Sequence, residues 1–145
     1  MLRLTPFLLF EGNCAEAMQF YQSCFGGDLT LTRLGDTPMK AQFPAEQHQK
    51  ITNAILSSGA IELTATDWLH PTRRLLQGNT TALYVTGNGY DELATIFEKL
   101  RVDGDATLLV ELREMPFGIY GRLTDRFGVE WFFRGAPREP DPATS

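Results

Sequence analysis

Residues 81–105, TALYVTGNGYDELATIFEKLRVDGD, repeat the plan of residues 5–28, TPFLLFEGNCAEAMQFYQSCFGGD. Both run from an apolar stretch through a glycine turn and a helical stretch to a Gly-Asp pair. At a shift of 77 positions, Gly12 falls on Gly89, Ala17 on Ala94, Phe20 on Phe97, Gly27 on Gly104 and Asp28 on Asp105, while Leu8 meets Val85. Self-similarity at a fixed spacing decides architecture before any single motif does. Five identities in matching roles point to one folding unit written twice.

Local chemistry fills in the unit. Residues 2–10, LRLTPFLLF, read as a strand in which Pro6 is tolerable near an edge or bulge. Asn13 stands where an N-cap is wanted, with Glu16 at capping-box spacing. Ala17, Met18, Tyr21, Cys24 and Phe25 recur at three and four, which gives a helix one apolar face. Gly26-Gly27 then supplies the left-handed backbone that ends it. In the second copy Asn88 or Gly89 opens a helix whose stripe is Leu93, Ile96, Phe97 and Leu100. Three strand signals follow each helix, at 29–34, 51–58 and 60–66 and then at 106–112, 119–124 and 129–133. Gly59 and Asp125-Arg126-Phe127-Gly128 are the turns before each final strand, with Asp and Gly at the first and fourth positions of the second. Each half reads β-α-β-β-β, and one such unit leaves a sheet face uncovered, so two must pair. The expected class is α+β.

The expected organisation is one domain over 1–134, with module one at 1–66, a connection at 67–78 and module two at 79–134. Residues 35–50 form a long polar loop where the second half has only REMPFG at 113–118, read as a surface excursion or a lid over a site. The Pro-rich residues 135–145 read as a disordered tail. A chain of 145 residues with formal net charge −5 can bury a core and is a poor nucleic-acid binder. Arg73-Arg74 reads as a solvated loop feature. No run of about 18 apolar residues exists to span a membrane, and the N-terminus is a poor signal peptide. Cys14 and Cys24 sit about 15 Å apart along one helix. They cannot pair there, and two free thiols point to a reducing, cytoplasmic home.

PFLLFEGNCAEAMQFYQSCFGGD near the start, LSSGAIELTATD at 56–67 and GIYGRLTDRFGVEWFF at 118–133 span nearly the whole chain to Arg134. In these motifs the chain resembles the vicinal oxygen chelate superfamily of glyoxalases and bleomycin-resistance proteins, and within it the PhnB-like branch. The resemblance implies two tandem βαβββ modules with curved mixed sheets around a cleft, a small molecule as partner, and assembly as a homodimer. Some PhnB-like proteins carry a methyltransferase description linked to ubiquinone synthesis. No glycine-rich cofactor loop in a βαβ setting supports that here.

Metal-dependent members of the superfamily place one ligand on each of four strands, chiefly His and Glu, because a divalent ion needs donors converging from a rigid frame. Carried over position by position, the first His place holds Thr5 (or Pro6), the acidic ligand of module one is Glu62, the second His place holds Thr80, and the last Glu place holds Phe132 with Glu130 two residues before it. Hydroxyls are poor ligands for zinc or nickel. His48 and His70 lie outside these strands and read as surface residues. A glyoxalase-type metal centre, and any cofactor, is therefore disfavoured, with a divalent metal as the alternative.

What remains is a concave pocket. Its candidates are Thr5, Phe7, Glu62, Thr80, Tyr120, Arg122, Glu130 and Phe132, with Trp68, Phe117 and Trp131 as further aromatic lining or as core. Glu62 is the candidate general base or cation acceptor; the bland alternatives are an ion pair with Arg122 or Arg33, or plain solvent exposure. Two functions stay open. One is metal-free small-molecule binding in the cleft, with no nucleic acid or membrane as partner. The other is a lyase, isomerase or dioxygenase type of enzyme using Glu62, with or without a metal.

Overall fold

The structure, a computed structural model, describes residues 1–137. The elements run β1 (Phe7–Phe10), α1 (Cys14–Phe25), β2 (Asp28–Arg33), β3 (Ile51–Ser58), β4 (Ile61–Asp67), β5 (Leu83–Gly87), α2 (Tyr90–Leu100), β6 (Val110–Met115), β7 (Gly118–Thr124) and β8 (Glu130–Gly135). They make two four-stranded mixed sheets, ordered β1-β4-β3-β2 and β5-β8-β7-β6. In each sheet the first strand runs parallel to the fourth and the other pairs are antiparallel. The chain divides into two compact units, 1–76 and 77–145.

Alternation assigns the faces. In β4, Leu63, Ala65 and Asp67 are buried, while Glu62, Thr64 and Thr66 turn to the other face and stay partly open. In β7 and β8 one parity supplies the buried Ile119, Gly121, Leu123, Trp131 and Phe133, while on the other only Gly118 and Thr124, at the ends of β7, are buried. Phe133 meets Phe97 of α2 edge-on at 5.1 Å between ring centroids. Each module thus has a helix-covered face, which is its core, and a face opposite the helix.

Several expectations change. The first strand is short: Thr5 and Pro6 precede it, and the Pro6 carbonyl accepts from the Thr64 backbone N–H at 3.1 Å. Asp67 closes β4 and is 2% exposed, so it belongs to the sheet and not to the connection. Residues 106–108 form a 3-10 turn capped by Asp105, and strand begins only at Val110. Gly135 is the last residue of β8, paired with Gly87 and Ile119; residues 138–145 of the expected tail lie outside the described residues. The 35–50 loop is built of short 3-10 turns held from within. His48 Nε2 donates to the carbonyls of Lys40 and Phe43 at 2.9 and 3.1 Å, and Gly35 N–H donates to the His48 carbonyl at 2.9 Å. His48 is therefore a staple of that loop. Among the described residues no helix is long and apolar enough to cross a membrane.

Candidate functional site

The eight candidates fall on both modules, and the six that lie in strands sit on the faces opposite the helices. In module one, Phe7 on β1 lies opposite Thr64 on β4, two positions along from Glu62 on the same face. Thr5 stands just before that strand, half-buried. Glu62 forms its ion pair with Arg3, a residue of the N-terminal segment. Neither expected partner holds it: Arg33 donates to the Gln49 carbonyl at 2.8 Å, and the Arg122 guanidinium lies over the Phe132 ring at 6.0 Å. The carboxylate is thus engaged by an opposing charge, which suits an anchor better than a general base.

Module two brings four candidates to one place. Thr80, Arg122, Glu130 and Phe132 line a cavity of about 410 Å³ together with Asn79, Thr81, Ala82 and Leu108. The register explains the grouping. Arg122 pairs with Phe132 and Thr124 with Glu130 across β7 and β8, so these side chains share a face. Glu130 accepts from the Thr124 hydroxyl at 2.9 Å, which fixes the carboxylate at the cavity wall. Tyr120 continues the same face, edge-on to Phe132 at 6.4 Å, and lines a neighbouring cavity of about 330 Å³ with the apolar Leu109, Val110, Met115 and Phe117 and the charged Glu111 and Arg113. Arg134, which the sequence reading passed over, covers both Phe117 at 5.4 Å and Tyr120 at 5.8 Å. The missed signal was parity: Arg134 is two residues beyond Phe132 on the same strand. Arg122 has no carboxylate within ion-pair distance among the described residues. The face thus offers aromatic surface, two arginines stacked on it, and one hydrogen-bonded carboxylate.

Trp131 leaves the lining set. It is 2% exposed, on the helix side, and its indole donates to the Asp125 carboxylate at 2.9 Å. The same carboxylate accepts from the Phe127 and Val129 backbone N–H groups at 2.8 and 3.0 Å, so Asp125 organises the turn that Gly128 completes at φ 83°. Trp68 and His70 lie in the connection just after β4, within the first compact unit, stacked on each other.

The donor set at the four ligand places does not fit a glyoxalase-type metal. Two are hydroxyls, Phe132 has no donor atom, and Glu62 is engaged by Arg3. Among the described residues no three His, Cys, Asp or Glu gather where they could hold a metal ion.

Comparison with known proteins places this architecture. A family model described as 3-demethylubiquinone-9 3-methyltransferase matches residues 2–133. The chain belongs to that family. It is similar to protein YjdN of Escherichia coli strain K12, 25% identical over 146 residues, covering 94% of this chain and 97% of that protein. The crystal structure of protein PA1353 from Pseudomonas aeruginosa superposes with a TM-score of 0.80 at 29% identity, over 95% of this chain and 100% of that one. A structure from Bacillus cereus, described as a putative 3-demethylubiquinone-9 3-methyltransferase, PhnB protein, gives 0.67 at 27% identity, over 93% and 100%. The fold itself extends to a glyoxylase/bleomycin resistance protein/dioxygenase domain from Frankia sp. EAN1pec, with a TM-score of 0.57 at 13% identity, over 94% and 98%.

Proposed function

We propose that this chain is a PhnB-like, homodimeric protein that binds a small amphipathic molecule without a glyoxalase-type metal centre. The observation that carries the reading is the module-two cavity, where Thr80, Arg122, Glu130 and Phe132 converge on about 410 Å³. That volume lies in the range of ordinary small-molecule pockets. The flat part of a ligand is placed against Phe132 and Tyr120, and an acceptor group against Arg122.

Methyl transfer, named in the family description, draws no support from the architecture. β1 and β2 lie at opposite edges of their sheet, as do β5 and β6, so neither helix joins adjacent parallel strands behind a glycine-rich loop. The enzyme reading built on Glu62 is the weaker one, because Arg3 already engages that carboxylate.

Two measurements test the proposal. Protein purified without a tag is expected to carry far less than one equivalent of divalent metal per chain. Stoichiometric metal that is lost on Glu62→Gln overturns the metal-free reading. A thermal-shift screen against flat amphipathic compounds is expected to find ligands that raise the melting temperature, since a ligand stabilises the state it binds. Arg122→Ala is expected to weaken such a ligand about tenfold, or about 1.4 kcal/mol. Full affinity in Arg122→Ala and in Phe132→Ala moves the site elsewhere.

A further inference from the structure

A second site, apart from the module-two face, lies where module one passes into the connection. Glu11, Lys50, Trp68 and residues 70–74 enclose a cavity of about 320 Å³. Lys50, Arg73 and Arg74 face one carboxylate, Glu11, so the lining carries two positive charges in excess with His70 neutral. This stands against a chain of formal net charge −5. Neither Arg73 nor Arg74 has a carboxylate within ion-pair distance among the described residues.

The cavity is organised, not a loose loop. The Trp68 indole donates to the Arg73 carbonyl at 2.5 Å, and the Trp68 ring stacks on His70 at 6.0 Å. His70 Nδ1 accepts from the Thr72 and Arg73 backbone N–H groups at 3.2 and 2.8 Å. A ring nitrogen that accepts carries no proton, so the proton of this neutral imidazole sits on Nε2 as a spare donor. Lys50 Nζ donates to the Trp68 carbonyl at 3.0 Å, which leaves two further N–H bonds to offer. Glu11 accepts from Leu75 N–H at 3.3 Å, closing the loop back on the end of β1. Backbone and ring contacts thus hold a loop that brings Arg73 and Arg74 beside Lys50 from the approach to β3, and none of the three has a carboxylate within ion-pair distance among the described residues.

We propose that this pocket binds a phosphate-type dianion, free or carried on a small molecule. Two excess charges match a dianion, and donors arriving from β3's approach and from the connection suit an acceptor with several oxygens. The test uses the full chain and inorganic phosphate, with chloride at matched ionic strength as the control. Trp68 is one of two tryptophans and lines this pocket, so an emission change that is absent in Trp68→Phe, which keeps only Trp131, reports on it. The expected result is a saturable fluorescence change and a rise in melting temperature with phosphate but not with chloride. Arg73→Ala with Arg74→Ala, both exposed positions, is expected to weaken binding by about tenfold or more, which is about 1.4 kcal/mol. Glu11→Gln keeps an oxygen for Leu75 N–H, removes the opposing charge, and is expected to tighten binding. Phenyl phosphate separates the two sources: tighter binding than phosphate assigns the pocket to an organic phosphate, equal binding to the free anion, and either upholds the site. An identical response to chloride, or full affinity in the double variant, overturns it. Arg122→Ala leaves this binding intact, so failure here and failure at the module-two cavity are told apart.

Discussion

Asp67 illustrates what one residue can do for this fold. Buried at the end of β4, it accepts from Cys14 N–H at 2.9 Å and from Ile51 N–H at 2.8 Å, tying the first turn of α1 to the start of β3. Asn13 occupies the N-cap position of α1 but makes no side-chain cap bond, so the carboxylate of Asp67 replaces the expected capping box. This role was legible. Asp67 shares the parity of Leu63 and Ala65, and an acid at a core position demands donors. Asp67→Asn keeps one acceptor and turns an NH₂ toward the other N–H. It is expected to lower the unfolding free energy by about 2–3 kcal/mol, read as a fall in urea midpoint at constant slope. Cys14 itself is fully buried, and burial first, then the Asp67 carboxylate, pushes its thiol from 9.0 up to about 12. The unfolded thiol ionises near its ordinary value, so the stability linked to this group is intact below about pH 9 and is lost as pH rises toward about 12. Cys14→Ala is expected to flatten the alkaline decline of unfolding free energy, a comparison of slopes that survives any cost of the lost side-chain volume.

At the scale of elements, the duplication is real but its register is not uniform. The first strands keep the shift of 77: Phe7 and Leu9 correspond to Tyr84 and Thr86, all exposed on the faces opposite the helices, whereas the last strands correspond at 68, Thr64 with Phe132. The helices are offset by 76, since Ala17, Tyr21 and Cys24 match the buried Leu93, Phe97 and Leu100. The Ala17–Ala94 and Phe20–Phe97 identities therefore join side chains of different burial, and Gly12 at φ 92° is matched in sequence with Gly89, a helix N-cap at φ −142°. One residue fewer enters α2 and one more leaves it, taken up around Asp103 at φ 59°. Periodicity announced both helices; identity alone could not register them, because a single inserted residue rotates a helix by about 100°. The Gly-Asp pair returns to 77 for a steric reason. A Cβ on Gly27 would overlap the Ser57 carbonyl oxygen, and one on Gly104 the Thr124 carbonyl oxygen. Gly12 has open space around it. Gly12→Ala is thus expected to cost about 1 kcal/mol for its left-handed backbone, whereas Gly27→Ala adds overlap and costs about 3 kcal/mol or more. Denaturant melts of the two variants check the order, and equal losses would remove the steric argument.

For the whole molecule, strand parity was legible in the sequence but charge partners were not. Parity grouped Arg122, Glu130 and Phe132, whereas Arg3 reaches Glu62 from a segment outside any strand, where no periodicity points to it. The same N-terminal segment bears on assembly. Leu2 and Leu4 are essentially fully exposed, and Phe7 and Leu9 are 53% and 42% exposed. β1, which carries the latter two, is an edge strand of its sheet. Four apolar side chains beside an open strand edge are a surface that a chain in water tends to cover, and a second copy, as in the proposed homodimer, supplies that cover. Light scattering at tens of micromolar is expected to give twice the 16.3 kDa chain mass. Leu2→Glu with Leu4→Glu touches no residue of either proposed pocket and no buried contact, so it is expected to shift the protein to monomer with an unchanged circular dichroism spectrum. A monomeric wild type removes the dimer from the proposal, and a dimer indifferent to both charges places its interface away from β1.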